Sequence, residues 1–560
     1  MAMGVGILMA FVIPNHQPPW QNFFHEYLAA LAFIPVIAAA CLRGLKFPPL
    51  ALVLVLLALT VWVQYFLGLI VFSGDAWLVS LYLLGGACVM AAAHSIVVSS
   101  EDAVDIASRS LWVGILLAGL LSVGIALHQW LGVGRYSVFF MEIAPNGRAY
   151  ANLGQPNHLA TLLLLAIVGV WVLWEKRVLM AVTASVSACL LIVGLTLTSS
   201  RTPVAAMLWM TPLLGYLGYR KWIRLPLFTL AGFAAFYLAL VFNLEMIGGA
   251  LYLTLPSAGA IERIASNELR LEIWADAVEA IRRAPWMGYG WFQTPIAQLD
   301  VADGTQILGQ LLPSVHNLIL DLVLWLGIPL SVFVLVALGW GFLAKFRFQM
   351  GIEGLASWIG VAVVINHAML EYAELYAYFF VPACWWVGVL SDKSKSQFFV
   401  SDNGHSRAIS VVRGSLLAVC GSIFLAVGWD YINYQSDWEI KRFRDALMDK
   451  SIEVPVRDAL LLNHLDAQLE LSAYDPFAVP RELPPKFAED AARRFPYPSN
   501  LLKLAIIQAM KGREADASET MHKLCLLYRQ VACESARATW VVVGQSRIPE
   551  LSRVALKPLP

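Results

Sequence analysis

Long apolar stretches recur from the N-terminus to about residue 430, separated at short intervals by charged residues, Gly and Pro. They fall at 2–13, 27–42, 48–71, 76–95, 111–128, 157–174, 178–197, 203–219, 225–243, 315–340, 354–371, 374–390 and 411–430. A helix needs roughly 20 apolar residues to cross a hydrocarbon core of about 30 Å, so the pattern predicts about 13 transmembrane helices whose edges are loose by several residues. The first run is the weakest. It lacks a basic leader and a small-residue cleavage site, so it does not read as a removable signal peptide.

Beyond residue 430 the pattern changes. Charged residues become common and helical periodicity covers about 436–448, 454–472, 485–494, 499–513 and 516–530, with breaks at Pro476, Pro480 and Pro484. The pair around Gly512 resembles a tetratricopeptide-like hairpin, but one pair is not a repeat array. These shifts predict an all-α chain with two domains: a transmembrane domain over 1–430, which includes a large loop at 244–314, and a helical domain over 431–560 outside the membrane. Within the loop, Glu262 to Arg283 reads as an amphipathic helix, ended by Pro285, Gly288 and Gly290.

Composition narrows the class. Of 560 residues, 59% are hydrophobic and 14% are Asp, Glu, Lys or Arg, and mean hydropathy is +0.67. A soluble globular protein carries about 25% charged residues, and a disordered one is far less hydrophobic. Both classes are excluded, and the lipid bilayer is the expected surroundings. A net charge of zero gives no sign of a nucleic-acid partner. The seven cysteines form no CxxC pair. Cys525 and Cys533 lie eight residues apart, about 12 Å along one helix, too far for a bridge unless the chain turns between them.

The short loops alternate in basic content. Arg43 and Lys46, Arg109, Lys176 and Arg177, Arg220, Lys221 and Arg224, Lys345 and Arg347, and Lys393, Lys395, Arg407 and Arg413 mark one side. The other loops hold few, such as Arg135, Arg148 and Arg201. The positive-inside rule then places the N-terminus in the cytoplasm, and 129–156, 244–314 and the C-terminal domain outside it.

Candidate chemistry sits near the outer edge. His316 follows Pro313 and opens an apolar run containing Asp321; a neutral imidazole can accept a proton. The competing explanation is a helix-end histidine bonded to solvent. Arg201 lies in a tight Ser-Arg-Thr-Pro turn between two apolar helices. A charge so placed is functional or paired, unless it simply snorkels to the interface. Arg270 stands four residues before Trp274 on the amphipathic helix. Guanidinium forks suit phosphate oxygens. Acidic residues within the runs are rare, with Asp321, Glu371 and Glu374 close to span ends. That scarcity disfavours a transporter of lipid-linked sugars, which would carry more midplane charge. No metal, nucleotide or hydrolase motif of useful quality is present.

Five stretches together resemble the bacterial O-antigen ligase superfamily, and within it the protein O-oligosaccharyltransferases that glycosylate pilins. They are Asn152-Leu153-Gly154-Gln155-Pro156-Asn157-His158-Leu159-Ala160-Thr161; Ser200-Arg201-Thr202; Arg270 to Trp274 with Pro285-Trp286-Met287-Gly288-Tyr289-Gly290; His316-Asn317-Leu318 with Leu326-Gly327; and Asn366 to Pro382, reading NHAMLEYAELYAYFFVP. The resemblance covers about 145–385, and the multi-span plan and helical tail suit the protein-modifying branch.

The resemblance implies a multi-pass protein of the bacterial inner membrane. It would transfer a glycan from undecaprenyl pyrophosphate to a Ser or Thr hydroxyl of a periplasmic or secreted protein such as pilin, with inversion and without a metal or other cofactor. Alternatives on the same scaffold are an O-antigen ligase acting on lipid A core and a repeat-unit polymerase. The resemblance assigns catalytic roles to His316, Arg201 and Arg270. It places Gln155, Asn157, His158, Asn317, Glu371 and Tyr372 around the substrates. Pro203 departs from the family's usual glycine, which puts the local geometry of the Arg201 turn in question.

Overall fold

Apolar segments can enter a bilayer only if their backbone groups are satisfied internally, and helices do this within one segment. The computed structural model follows that rule. It describes residues 1–14, 16–133, 137–143, 147–251, 253, 268–304, 309–346, 350–391, 397–398, 407–447, 451–455, 457–475, 485–528 and 531–558. The Glu262–Asn267 part of the expected amphipathic helix, Arg135, Arg347, Lys393 and Lys395, and the breaks at Pro476, Pro480 and Pro484 lie outside the described residues.

The helices run in order: α1 Ala2–Val12, α2 Phe23–Arg43, α3 Pro49–Phe66, α4 Ser73–Ser99, α5 Glu101–Leu131, α6 Pro156–Glu175, α7 Ala181–Leu197, α8 Thr202–Tyr219, α9 Leu227–Ala250, α10 Glu268–Arg283, α11 Thr294–Val301, α12 Leu318–Leu326, α13 Ile328–Leu343, α14 Ile352–Ala368, α15 Ala377–Val389, α16 Arg407–Leu447, α17 Asn463–Ala473, α18 Pro485–Arg494, α19 Pro498–Met510, α20 Glu514–Leu527 and α21 Val531–Ser546. A two-residue antiparallel pairing of Lys46–Phe47 with Gln397–Phe398 is the strand content among the described residues. Among the described residues, seven helices are long and apolar enough to cross a membrane, and five further apolar helices are shorter. The chain is an all-helical, multi-pass membrane protein.

Several boundaries differ from the sequence pattern. The run at 315–340 is two helices, α12 and α13, broken at Gly327. Helix α16 continues unbroken past residue 430 to Leu447. The periodicity at 454–472 gives helix only from Asn463, because the preceding amides have another acceptor. Leu460, Leu461 and Leu462 N–H groups donate to the Asp430 carboxylate at 2.9, 2.7 and 3.0 Å. Helix α21 has no counterpart in the periodicity reading.

The chain packs as two compact units. The first comprises 1–56, 82–267 and 336–418; the second comprises 57–81, 268–335 and 419–560. In the first unit, α6 is almost wholly buried, and α5, α7, α14 and α8 pack around it. One end of this unit gathers Lys176 with Asp105 and Glu353, and Arg224 over the Trp174 ring at 4.6 Å. The opposite ends of α5, α6, α7 and α14 carry the polar groups described below.

In the second unit, α18 to α21 form a hydrophobic core with Leu299 of α11 and Ala302, which caps that helix. Helices α19 and α20 make a hairpin that turns at Gly512. Cys525 and Cys533 are joined by a disulfide, with Cα atoms 4.8 Å apart. The chain does turn between them, since α20 ends at Leu527 and α21 starts at Val531. The single-helix spacing therefore does not apply. Arg494 and Asp75 form a buried, two-pronged ion pair in the same unit. Beside it, Asn463 Oδ1 accepts the Gly74 amide at 2.8 Å.

Candidate functional site

In the first unit, polar side chains collect where α6 begins, α7 meets α8, and α14 meets α15. Gln129 organises the approach to α6. Its Oε1 accepts the Tyr150 and Ala151 amides at 3.1 and 2.8 Å, and its Nε2 donates to the carbonyls of Met141 and Ala151, each at 2.8 Å. Asn152 continues the work, donating to the carbonyls of Val12 and Phe139 at 2.7 and 2.9 Å. Gly154 has φ +72°, and a Cβ there would lie 2.9 Å from the His16 ring, so a side chain is excluded on two counts. Thus the loop that delivers Gln155, Asn157 and His158 is fixed from beneath.

Asn157 and His158 then enter the first turn of α6 and are buried. Asn157 Nδ2 donates to Glu371 Oε1 at 2.8 Å, and Asn157 Oδ1 accepts the Ser200 hydroxyl at 2.7 Å. Ser200 Oγ in turn accepts the Thr202 amide at 3.2 Å, across the Arg201 turn. Arg148 Nη1 donates to the Ser199 carbonyl at 3.5 Å. The Thr202 carbonyl accepts Asn366 Nδ2 at 3.2 Å. The turn holding Arg201 is therefore tied to both α6 and α14. Pro203 causes no distortion of a kind its missing amide would demand. It sits in the first turn of α8, where an amide hydrogen would lack an intrahelical acceptor.

His158 Nδ1 pairs with the Tyr378 hydroxyl at 2.9 Å, and His367 Nδ1 pairs with Thr161 Oγ1 at 2.8 Å. The two imidazoles stand 5.5 Å apart, and Tyr376 packs edge-on to His158 at 4.3 Å. Tyr372 hydrogen-bonds with Gln155 and Tyr376. Gln155, Asn157, His158, Glu371 and Tyr372 thus share one network with the Arg201 turn. Ser200, Thr161, His367, Tyr376 and Tyr378 are further members to which the sequence reading assigns no role, although each lies within one of the stretches that carry the family resemblance.

Below this network, α6, α7, α8 and α9 wall an apolar cavity of about 340 Å³. Leu195 of α7 and Met207 of α8 line it, a short climb along the same two helices from Arg201. Tyr237 of α9 and Trp174 of α6 also contribute.

The second unit holds the other expected residues. His316 lies just before α12 with φ +61°, the left-handed region. The Asn317 side chain caps α12, accepting the Ile319 and Leu320 amides at 3.1 and 3.2 Å. It is therefore engaged as a helix cap. Arg270 stands one turn ahead of Trp274 on α10, and Trp274 Nε1 donates to the Val315 carbonyl at 3.1 Å. That bond ties the helix of Arg270 to the loop of His316. Asp276 on α10 titrates near 6, raised by burial and then by Glu272.

Two of the sequence stretches lock together here. Tyr289 and Gly290 amides donate to the carbonyls of Leu324 and Trp325 at 2.8 and 3.1 Å, and the Ile328 amide donates to Pro285 O at 2.8 Å. A Cβ on Gly288 would sit 2.6 Å from Leu324 O, and one on Gly327 would sit 2.4 Å from the Trp286 carbonyl. Only glycines allow that approach. Gln64 closes it, donating to Trp325 O at 2.8 Å and accepting the Trp291 amide at 3.2 Å. Among the described residues, no group of three or more His, Cys, Asp or Glu side chains could hold a metal ion.

A chain of many apolar helices, with a buried His/Tyr/Asn/Glu network among the helices of its first unit, is of the multi-pass membrane class. Comparison with known proteins fixes the family. Family models match as O-antigen ligase over 186–335, protein glycosylation ligase over 149–174, and virulence factor membrane-bound polymerase, C-terminal, over 355–542. The chain is 30% identical over 444 residues to a general O-oligosaccharyltransferase of Acinetobacter baylyi, covering 77% of this chain and 75% of the relative. It is 24% identical over 396 residues to a ComP-specific O-oligosaccharyltransferase of the same organism, covering 69% of each. No solved structure matches. The protein belongs to the O-oligosaccharyltransferase family, within the O-antigen ligase superfamily.

Proposed function

We propose that this enzyme transfers a glycan from undecaprenyl pyrophosphate to Ser or Thr hydroxyls of proteins outside the cytoplasm, pilin among them. The observation that carries the reading is the similarity, over most of both chains, to a relative named as a general O-oligosaccharyltransferase. The anomeric carbon already bears a good leaving group, so the enzyme has two tasks: hold the pyrophosphate and align the nucleophile. Arg201 and Arg270 stabilise charge growing on the departing pyrophosphate, as a divalent ion does elsewhere. His316 accepts the proton of the acceptor hydroxyl. As the C–O bond to the acceptor forms, the bond to pyrophosphate breaks, and the anomeric centre inverts. Gln155, Asn157, His158, Glu371 and Tyr372 shape the substrate pocket, with Asn317 fixing the helix end after His316. The apolar cavity suits part of an isoprenoid chain, because it lies between the helices that carry the Arg201 turn.

The same reading places the protein in the bacterial inner membrane, with the N-terminus cytoplasmic and the 431–560 domain periplasmic. The basic-loop alternation supports this. So does the Cys525–Cys533 disulfide, which suits an oxidising compartment. Purified full-length protein, lipid-linked glycan and a pilin acceptor provide the test, read by intact mass. Glycosylated pilin is expected. Glycan joined only to lipid A core or to another lipid-linked glycan overturns the acceptor class, and lipid moved without bond cleavage overturns the reaction.

A further inference from the structure

We propose that Asp321 is a positioning residue for His316. The inference rests on the reading of His316 as the proton acceptor. Asp321 is fully buried in the first turn of α12, and both carboxylate oxygens point back at the loop ahead of it. Oδ2 accepts the Ser314 hydroxyl at 2.6 Å, and Oδ1 accepts the Val315 amide at 3.0 Å. Ser314 Oγ then accepts the His316 amide at 2.9 Å. From the other side, Trp274 of α10 holds the Val315 carbonyl. Three consecutive residues leading to the imidazole are thus fixed by one carboxylate and one indole.

The need for such fixing follows from the backbone. His316 occupies φ +61°. The left-handed region is sterically costly for a residue with a Cβ, and it persists only where surrounding bonds over-determine it. A return to negative φ would swing the imidazole to the other side of the chain. A displacement of about 1 Å at a reacting group can cost about 10²-fold in rate. A carboxylate suits this task, since it accepts two hydrogen bonds at once and these are stronger than neutral ones. Its burial favours the arrangement, because a buried carboxylate left without donors is costly.

The experiment is a double-mutant cycle on the full-length enzyme with lipid-linked glycan and protein acceptor. Asp321→Asn should lower kcat by about 10–100-fold with KM for donor and acceptor within about twofold. In a His316→Ala background the same change should add less than about twofold, because a residue that acts through His316 has nothing left to position. Ser314→Ala, which removes one link and leaves the carboxylate, is the second variant in case Asp321→Asn does not fold. It should show the same kcat-only loss and the same silence in the His316→Ala background. Normal kcat in either folded variant overturns the proposal, as do losses that multiply in the double variants. If His316→Ala itself turns over normally, the proton-acceptor reading fails instead, and the two failures are told apart by that single variant.

Discussion

Arg494 grips Asp75 with two parallel bonds, Nε to Oδ2 at 2.9 Å and Nη2 to Oδ1 at 2.8 Å. Asp75 has no exposed side-chain surface, and Arg494 has 14%. The pair joins the C-terminal helices to the first turn of α4. Removing one partner of a buried pair costs about 3–5 kcal/mol, because the other charge stays buried. Arg494→Ala should therefore lower the unfolding free energy by about that amount. Arg494→Lys should restore only part of it, since an ammonium lacks the planar fork. Denaturant unfolding of the purified protein measures both. An alanine variant as stable as the parent would refute the assignment.

His316→Ala should cut turnover by about 10²–10⁴-fold, the usual range for a lost general base. Donor affinity should remain nearly unchanged. Single-turnover rates and donor titration separate the two quantities. Loss of donor affinity with little loss of rate would move His316 from proton transfer to donor binding.

Arg201→Lys should weaken donor binding by roughly 10–100-fold, the equivalent of one lost charged hydrogen bond. Turnover should fall as well. Asn157→Ala, which frees Ser200 and Glu371 from each other, should reproduce the donor defect to a smaller degree. If Asn157→Ala impairs stability alone, the network supports the fold and not the Arg201 turn.

Lys503 offers a test by pH. Burial, with Lys441 next in effect, lowers its ammonium to about 8. Its Nζ donates to the carbonyls of Leu471 and Ser472. In the unfolded chain it titrates near 10.4. Between those values the unfolded chain binds more protons, so stability rises with pH there, by up to about 3 kcal/mol. Below pH 8 both states are protonated and this dependence vanishes. Lys503→Met should flatten the rise. A parent whose stability is level from pH 8 to 10 contradicts the shift.

The disulfide and the helix through residue 430 together test sidedness. A reporter active only outside the cytoplasm, fused after Leu447, should be active. Non-reducing mass analysis of protein taken from the membrane should show Cys525 joined to Cys533. Free thiols at both positions, with a silent but well-expressed fusion, would reverse the topology.

Much of this architecture could be read from residue order because lipid imposes a simple code. Runs near 20 apolar residues must be helices, and alternating basic loops must alternate sides. Arg270 stands out as an arginine on an external amphipathic helix, and Arg201 as a charge where charge is expensive. Asp321 was visible for the same reason, but its task was not. The left-handed backbone of His316 is not legible in the sequence, since even the residue types enriched at positive φ adopt it in a small minority of cases. The break at Gly327 was hidden within a continuous apolar run. Its counterpart lies 39 positions earlier, at Gly288, whose backbone packs against Leu324 O. Asp430 diverted the start of α17 by supplying acceptors that periodicity cannot register.

The second unit assembles from three separated stretches, 57–81, 268–335 and 419–560. A ribosome adds about 5–20 residues per second, so roughly 20–70 s pass between the emergence of its first stretch and its last. Through that interval the end of α4 that bears Asp75 lacks its Arg494 partner, and for the later part of it α11 lacks the C-terminal helices that pack on it. The nascent protein is then a long-lived client, exposed to proteases and to wrong partners until its final helices emerge. Truncations near the C-terminus should for that reason be removed by quality control rather than accumulate as inactive enzyme.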